Sequence, residues 1–147
     1  MKSPRVVVGA LVLAGILSVS SVAHADDQDA IDYREHIMKT MGEQVAAIRM
    51  ILQQKAPATN FAVHVRILAV TAATAKKAFE PKVPGGEAKP DVWAQWPDVA
   101  RRFDALVAAT DDLAKSAKEG GVPATAPKVE AALTCNGCHD TYRVPKK

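Results

Sequence analysis

Apolar residues return every three or four positions along most of the chain, the spacing that gathers them on one face of an α-helix. From about Asp29 to Lys55 that face is Ile37, Met41, Val45, Ile48 and Leu52. Pro57 ends the segment, and Thr59 or Asn60 can cap the next one. There Phe61, Val65, Leu68, Ala72, Ala75 and Phe79 follow at intervals of 4, 3, 4, 3 and 4, a stripe that no alternating strand would show. Pro81 to Pro90, with Pro84, Gly85 and Gly86 inside it, predicts a loop. A third helix begins at Pro97, where a proline suits the first turn, and its stripe runs through Trp96, Val99, Phe103, Leu106, Thr110, Leu113 and Ala117. Gly120 and Gly121, followed by Pro123, predict a left-handed C-cap. A fourth helix opens near Thr125 to Pro127 and carries Val129, Ala132, Leu133 and then the two cysteines. Four stripes with short connections favour an all-α, antiparallel four-helix bundle. No internal repeat or low-complexity tract competes with that reading.

Composition agrees and narrows the function classes. The 147 residues suit one domain, and a hydrophobic share of 48% with only 5% aromatic residues fits helices better than a sandwich. The first 25 residues stand apart. Lys2 and Arg5 precede an apolar run from Val6 to Leu17, and Ala23-His24-Ala25 offers a small-x-small cleavage site. Twelve residues are too few to span a bilayer, so the segment is expected to be a secretory signal peptide cleaved after Ala25. The formal charge of +3 includes its Lys2 and Arg5. Without them 17 basic residues face 16 acidic ones, and the dispersed charge argues against a nucleic-acid partner. The mature chain, 26–147, has no membrane span and is expected in the periplasm.

Chemistry enters at Cys135-Asn136-Gly137-Cys138-His139. In an exported chain, C-x-x-C-H is the attachment signature of c-type haem. Two thiols one helical turn apart can both form thioether links to the porphyrin, and the next residue offers an imidazole to the iron. A thioredoxin-like pair would need a βα context. A zinc site would need further ligands. A disulfide between Cys135 and Cys138 would close too small a loop to stabilise much. One covalently bound haem c is therefore expected, with His139 as iron ligand.

The placement of Cys135-Asn136-Gly137-Cys138-His139-Asp140-Thr141-Tyr142-Arg143 near the C-terminus resembles the class II cytochromes c, the cytochrome c′ family. Three further stretches resemble the same family: Ile31-Asp32-Tyr33-Arg34, Gly85-Gly86-Glu87-Ala88-Lys89-Pro90-Asp91-Val92-Trp93, and the basic tail after Tyr142. The resemblance implies an up-down-up-down bundle with one haem lodged near one end. It also divides into two branches. One has an apolar distal site and five-coordinate, high-spin iron. The other closes the sixth position with a methionine of the first helix, four residues after the arginine of the Tyr-Arg pair, which here is Met38.

Thioether suits haem iron, and on this resemblance Met38 is assigned as the sixth ligand. Met41, on the neighbouring turn, is the reserve candidate but reads as core. Met50 lies twelve residues on, about 18 Å along a helix, and is out of reach. His36 is turned to solvent by its spacing from Met38, and His64 reads as a boundary histidine. The family suggests that Arg34 and Arg143 pair with haem propionates, and Trp93 is a candidate cover for the haem edge. Asp111, Asp112, Lys115 and Lys118 read as a solvated face.

These assignments lead to an electron-transfer cytochrome with His/Met-ligated, low-spin haem, working with redox partner proteins. The alternative is a five-coordinate cytochrome c′ that binds nitric oxide or carbon monoxide. An enzyme such as a peroxidase is disfavoured, because no distal histidine and arginine can be read beside the haem. Relatives often dimerise through their first two helices, and a homodimer is allowed here, since the stripes do not separate core from dimer face.

Overall fold

In the computed structural model, residues 26–145 are described, so the segment expected to be a signal peptide, 1–25, lies outside the described residues. The first helix, α1 (Asp27–Leu52), starts two residues before its apolar stripe suggested. Asp26 explains the earlier start. Its side chain accepts from the Asp29 amide at 2.8 Å, and the Asp29 carboxylate accepts from the Asp26 amide, a reciprocal cap that satisfies two otherwise unpaired donors. A single 3-10 turn, Ala58–Asn60, leads into α2 (Phe61–Phe79). Helix α2 packs closely on α1 along one side and on the long third helix along the other. Its predicted stripe is the observed one: Phe61, Val65, Leu68, Ala72, Ala75 and Phe79 are all buried.

After the loop comes a single turn, α3 (Asp91–Ala94), which the stripes did not reveal. Helix α4 (Trp96–Ala132) follows with Pro97 in its first turn. It is two limbs, 96–120 and 122–132, that meet at Gly121, whose φ of 60° and ψ of −150° break the helical path. An L-residue there would be strained, which is why glycine stands at the corner. The fourth limb therefore opens directly after Gly121, with Pro123 in its first turn, rather than at Thr125 to Pro127 as expected. Pro127 lies inside the limb. It gives up one backbone hydrogen bond, and its neighbour Thr125 donates its hydroxyl to the Gly121 carbonyl at 2.8 Å. The chain leaves the helix at Leu133 and Thr134 and re-enters it as α5 (Asn136–Tyr142), so the Cys-x-x-Cys-His run sits on a short helix of its own.

The described residues are almost entirely helical, and the four long segments form a four-helix bundle. Ile48, Val65, Leu68, Leu113 and Val129 lie in its buried core. Asp111, Asp112, Lys115 and Lys118 are exposed, as the charge pattern implied. None of the described helices is long and apolar enough to cross a membrane.

Candidate functional site

The two thiols and the imidazole stand on one helical turn. The Cys138 and His139 amides both donate to the Cys135 carbonyl, at 3.3 and 3.1 Å, so α5 starts from Cys135 itself. Cys135 is exposed and Cys138 half-buried, and both are free thiols. Burial pushes the Cys138 thiol above its ordinary value, against the pull of the nearby Arg102 guanidinium. His139 is half-buried beside them. This donor set fits a haem attached by two thioethers with an imidazole for the iron. It does not fit zinc, because among the described residues no group of three or more His, Cys, Asp or Glu side chains converges.

A helix of seven residues is marginal by itself, so α5 takes its position from its neighbours. From α4, Arg102 donates Nη1 to the Gly137 carbonyl and Nε to Asp98 Oδ2 at 2.6 Å. The Tyr142 hydroxyl donates to the same Asp98 oxygen at 2.8 Å and lies 3.3 Å from Gln95 Oε1. These bonds hold the Asp98 carboxyl below its usual range, Arg102 contributing most, and raise the Tyr142 phenol. From the loop, the Lys89 amide donates to the Tyr142 carbonyl at 3.0 Å, and Lys89 Nζ to the Thr141 carbonyl at 3.1 Å. The Val144 amide closes the strap on Glu87 at 2.8 Å.

The loop is fixed in turn by Arg34. This arginine is only 2% exposed and donates to the carbonyls of Val83 (2.6 Å) and Gly85 (2.7 Å). Its guanidinium lies 5.1 Å from the Trp93 ring centroid and 5.8 Å from that of Phe79. Burial lowers its pKa, partly offset by Glu35. Trp93 is half-buried and donates its indole N–H to the Phe79 carbonyl at 2.8 Å. At Gly85, φ is 140° and an added Cβ would come within 2.7 Å of Ile31 Cδ1. The Ile31–Arg34 stretch and the glycine loop are thus one contact, made between distant parts of the chain.

The remaining candidates are placed as follows. Arg143, half-buried, follows α5 and sits in an isolated bridge with Ala88. Met38 is half-buried on α1 and packs against the core together with Ile37, while Met41 is buried and Met50 exposed. His36 is exposed. His64 is half-buried, with Nδ1 2.9 Å from Gln44 Oε1, as a boundary histidine should be. The sequence reading missed Asp98 and Arg102. Their i, i+4 spacing was the available signal, but it did not reveal that both reach α5.

Comparison with known proteins bears on what the site holds. A family model described as Cytochrome C′ matches residues 29–143. Cytochrome c′ of Rubrivivax gelatinosus is 30% identical over 121 residues, covering 78% of this chain and 94% of that protein. A ferrous variant of cytochrome c′ from Alcaligenes xylosoxidans, solved with bound NO, is 25% identical with a TM-score of 0.73, and covers 84% of this chain and 100% of its own. A carbon-monoxide-bound variant of the same protein is 26% identical with a TM-score of 0.71, over 84% of this chain and 100% of that one. These relatives overturn the expectation of a low-spin, His/Met-ligated electron carrier. A protein sulfur in the sixth position would close the place a gas must take. His/Met ligation falls with that expectation, and Met38 itself packs against the core, as suits a flexible thioether on this face.

Proposed function

The chain belongs to the cytochrome c′ family and carries its covalently attached c-type haem, and we propose that it is an exported, periplasmic haem protein that binds small gases. When bound, the haem supplies an iron with one position for nitric oxide or carbon monoxide. Cys135 and Cys138 tether it, and His139 holds the iron from one side. Apolar residues of α1, Met38 among them, would border the haem without supplying a further ligand. In this reading Arg143 meets the haem's propionates, and Trp93 covers an edge that Arg34 secures through the loop. The role is binding rather than catalysis. The reading is carried by the thiol and imidazole set on α5, in a chain whose relatives are solved with NO and CO bound.

The test is the optical and electron-spin-resonance spectrum of the purified holoprotein. We expect a high-spin ferric signal, and a ferrous form that takes up both gases without first losing a ligand. A low-spin ferric spectrum with a methionine–iron charge-transfer band would overturn the proposal. Met38→Leu, which keeps the volume and removes the sulfur, should leave the spin state unchanged.

The same reading includes a second copy of the chain as partner. The outer face of α2 carries Val63, Ile67 and Val70, exposed by 54, 39 and 61%. Three apolar side chains at i, i+4 and i+7 form a stripe of the kind that marks an association surface. Ile67→Glu with Val70→Glu should weaken self-association at least about tenfold in sedimentation equilibrium, with the haem spectrum unchanged. A parent that stays monomeric at high concentration would remove the dimer from the proposal.

A further inference from the structure

Helix α5 carries the chain's haem-binding residues, yet the break at Leu133 and Thr134 separates it from the limb before it. What fixes its position relative to the bundle is therefore a functional question. Two side chains one turn apart on α4 grip it on either side of Cys138 and His139. Arg102 holds the Gly137 carbonyl, 35 residues away in sequence. Asp98 accepts from the Tyr142 hydroxyl, 44 residues away. The two grips are joined, because Arg102 also donates to Asp98, and its guanidinium lies 5.8 Å from the Tyr142 ring centroid.

An exposed i, i+4 ion pair alone contributes little. This one differs in three respects. Its side chains are only 35 and 26% exposed. Its aromatic partner Tyr142 is 6% exposed. Each member spends a hydrogen bond on the short helix that presents the imidazole. We propose that Asp98 and Arg102 form a positioning clamp on α5, fixing where His139 presents its ring to the iron. The clamp rests on His139 being the iron ligand, as argued above. It makes Asp98 and Arg102 positioning residues, since they act on the site through Gly137 and Tyr142.

The decisive comparison uses holoprotein with Arg102→Met, which keeps the stem and removes the grip on Gly137 and the link to Asp98, and Tyr142→Phe, which removes the other grip's hydroxyl and keeps the buried ring. Two quantities are read: amide hydrogen exchange across 137–142, and the iron–histidine stretching band of the ferrous protein by resonance Raman. In Arg102→Met the α5 amides should exchange at least about tenfold faster, as one lost charge-assisted hydrogen bond implies. The iron–histidine band should shift or broaden. Tyr142→Phe should show both effects in smaller measure and remain folded if Arg102→Met does not. Arg102→Lys should rescue only partly, because one ammonium cannot reproduce the planar fork. Amides of α2 should be unaffected in all three. Exchange at the parental rate overturns the clamp. Faster exchange with an unchanged band reduces it to a structural contact and overturns the positioning role. A five-coordinate, high-spin ferrous parent with no iron–histidine band overturns the ligand assignment of His139 and the positioning claim together, which distinguishes that failure from failure of the clamp alone.

Discussion

Converting both Cys135 and Cys138 to alanine should make the haem fully extractable into acidified organic solvent, where the parent retains all of it. The reason is the α5 turn. Both thiols project from a single helical turn that begins at Cys135, so each can hold the porphyrin independently, and each single variant keeps one thioether. Extraction should therefore remain incomplete in Cys135→Ala and Cys138→Ala and become complete only in the double variant. Cys138 is the more buried thiol and Cys135 the exposed one, so losing Cys138 should perturb the local packing more. His139→Ala should harm function more than either single cysteine change. It leaves the haem tethered but removes the nitrogen that holds the iron, and the ferrous protein should lose its iron–histidine signal altogether. A double cysteine variant that retains haem as tightly as the parent would refute covalent attachment through this motif.

How much of this could be read from residues alone differs by element. Helices α1 and α2 and the first limb of α4 were legible because their stripes are long, and a long stripe leaves little choice of period. The attachment motif was legible because its chemistry is contiguous: three reactive residues in five positions need no tertiary structure to be recognised. The short turn α3 and the interruption at Leu133 and Thr134 were not legible, since neither spans enough residues to express a period. Arg34 shows a different limit. A charged residue is ordinarily solvated, yet this one is buried because two loop carbonyls and two aromatic rings replace its water. That compensation comes from residues 79–93, and no local pattern around position 34 announces it. Asp98 and Arg102 illustrate the same limit, their partners lying on the last helix. Met38 marks another limit. Position on a helix face says which way a side chain points, but whether sulfur or a gas occupies the sixth position depends on a competition for the iron that spacing does not encode.

Arg34 also carries a large stability effect for a single charged side chain outside the haem motif. Arg34→Met should destabilise the protein by about 3 kcal/mol, from two charge-assisted hydrogen bonds lost and two carbonyls left short of a donor. At this chain length that corresponds to a fall in Tm of about 10 °C. Methionine preserves much of the stem's packing between Trp93 and Phe79, so the loss isolates the guanidinium from the volume it fills. Arg34→Lys should recover less than half. A lysine keeps the charge, but one ammonium on a flexible stem does not reach the Val83 and Gly85 carbonyls in the fixed fork an arginine provides. The damage should spread along the loop in a defined order. The segment 83–89 should gain hydrogen exchange first, followed by the end of α5, because the Lys89 and Val144 amides tie that loop to the chain after His139. Thermal unfolding of the holoprotein, with exchange mapped by fragment, checks both the size and the route. Parental stability together with an altered haem spectrum would place the guanidinium at the cofactor instead of under the loop, and the account of Arg34 as the loop's anchor would have to be abandoned.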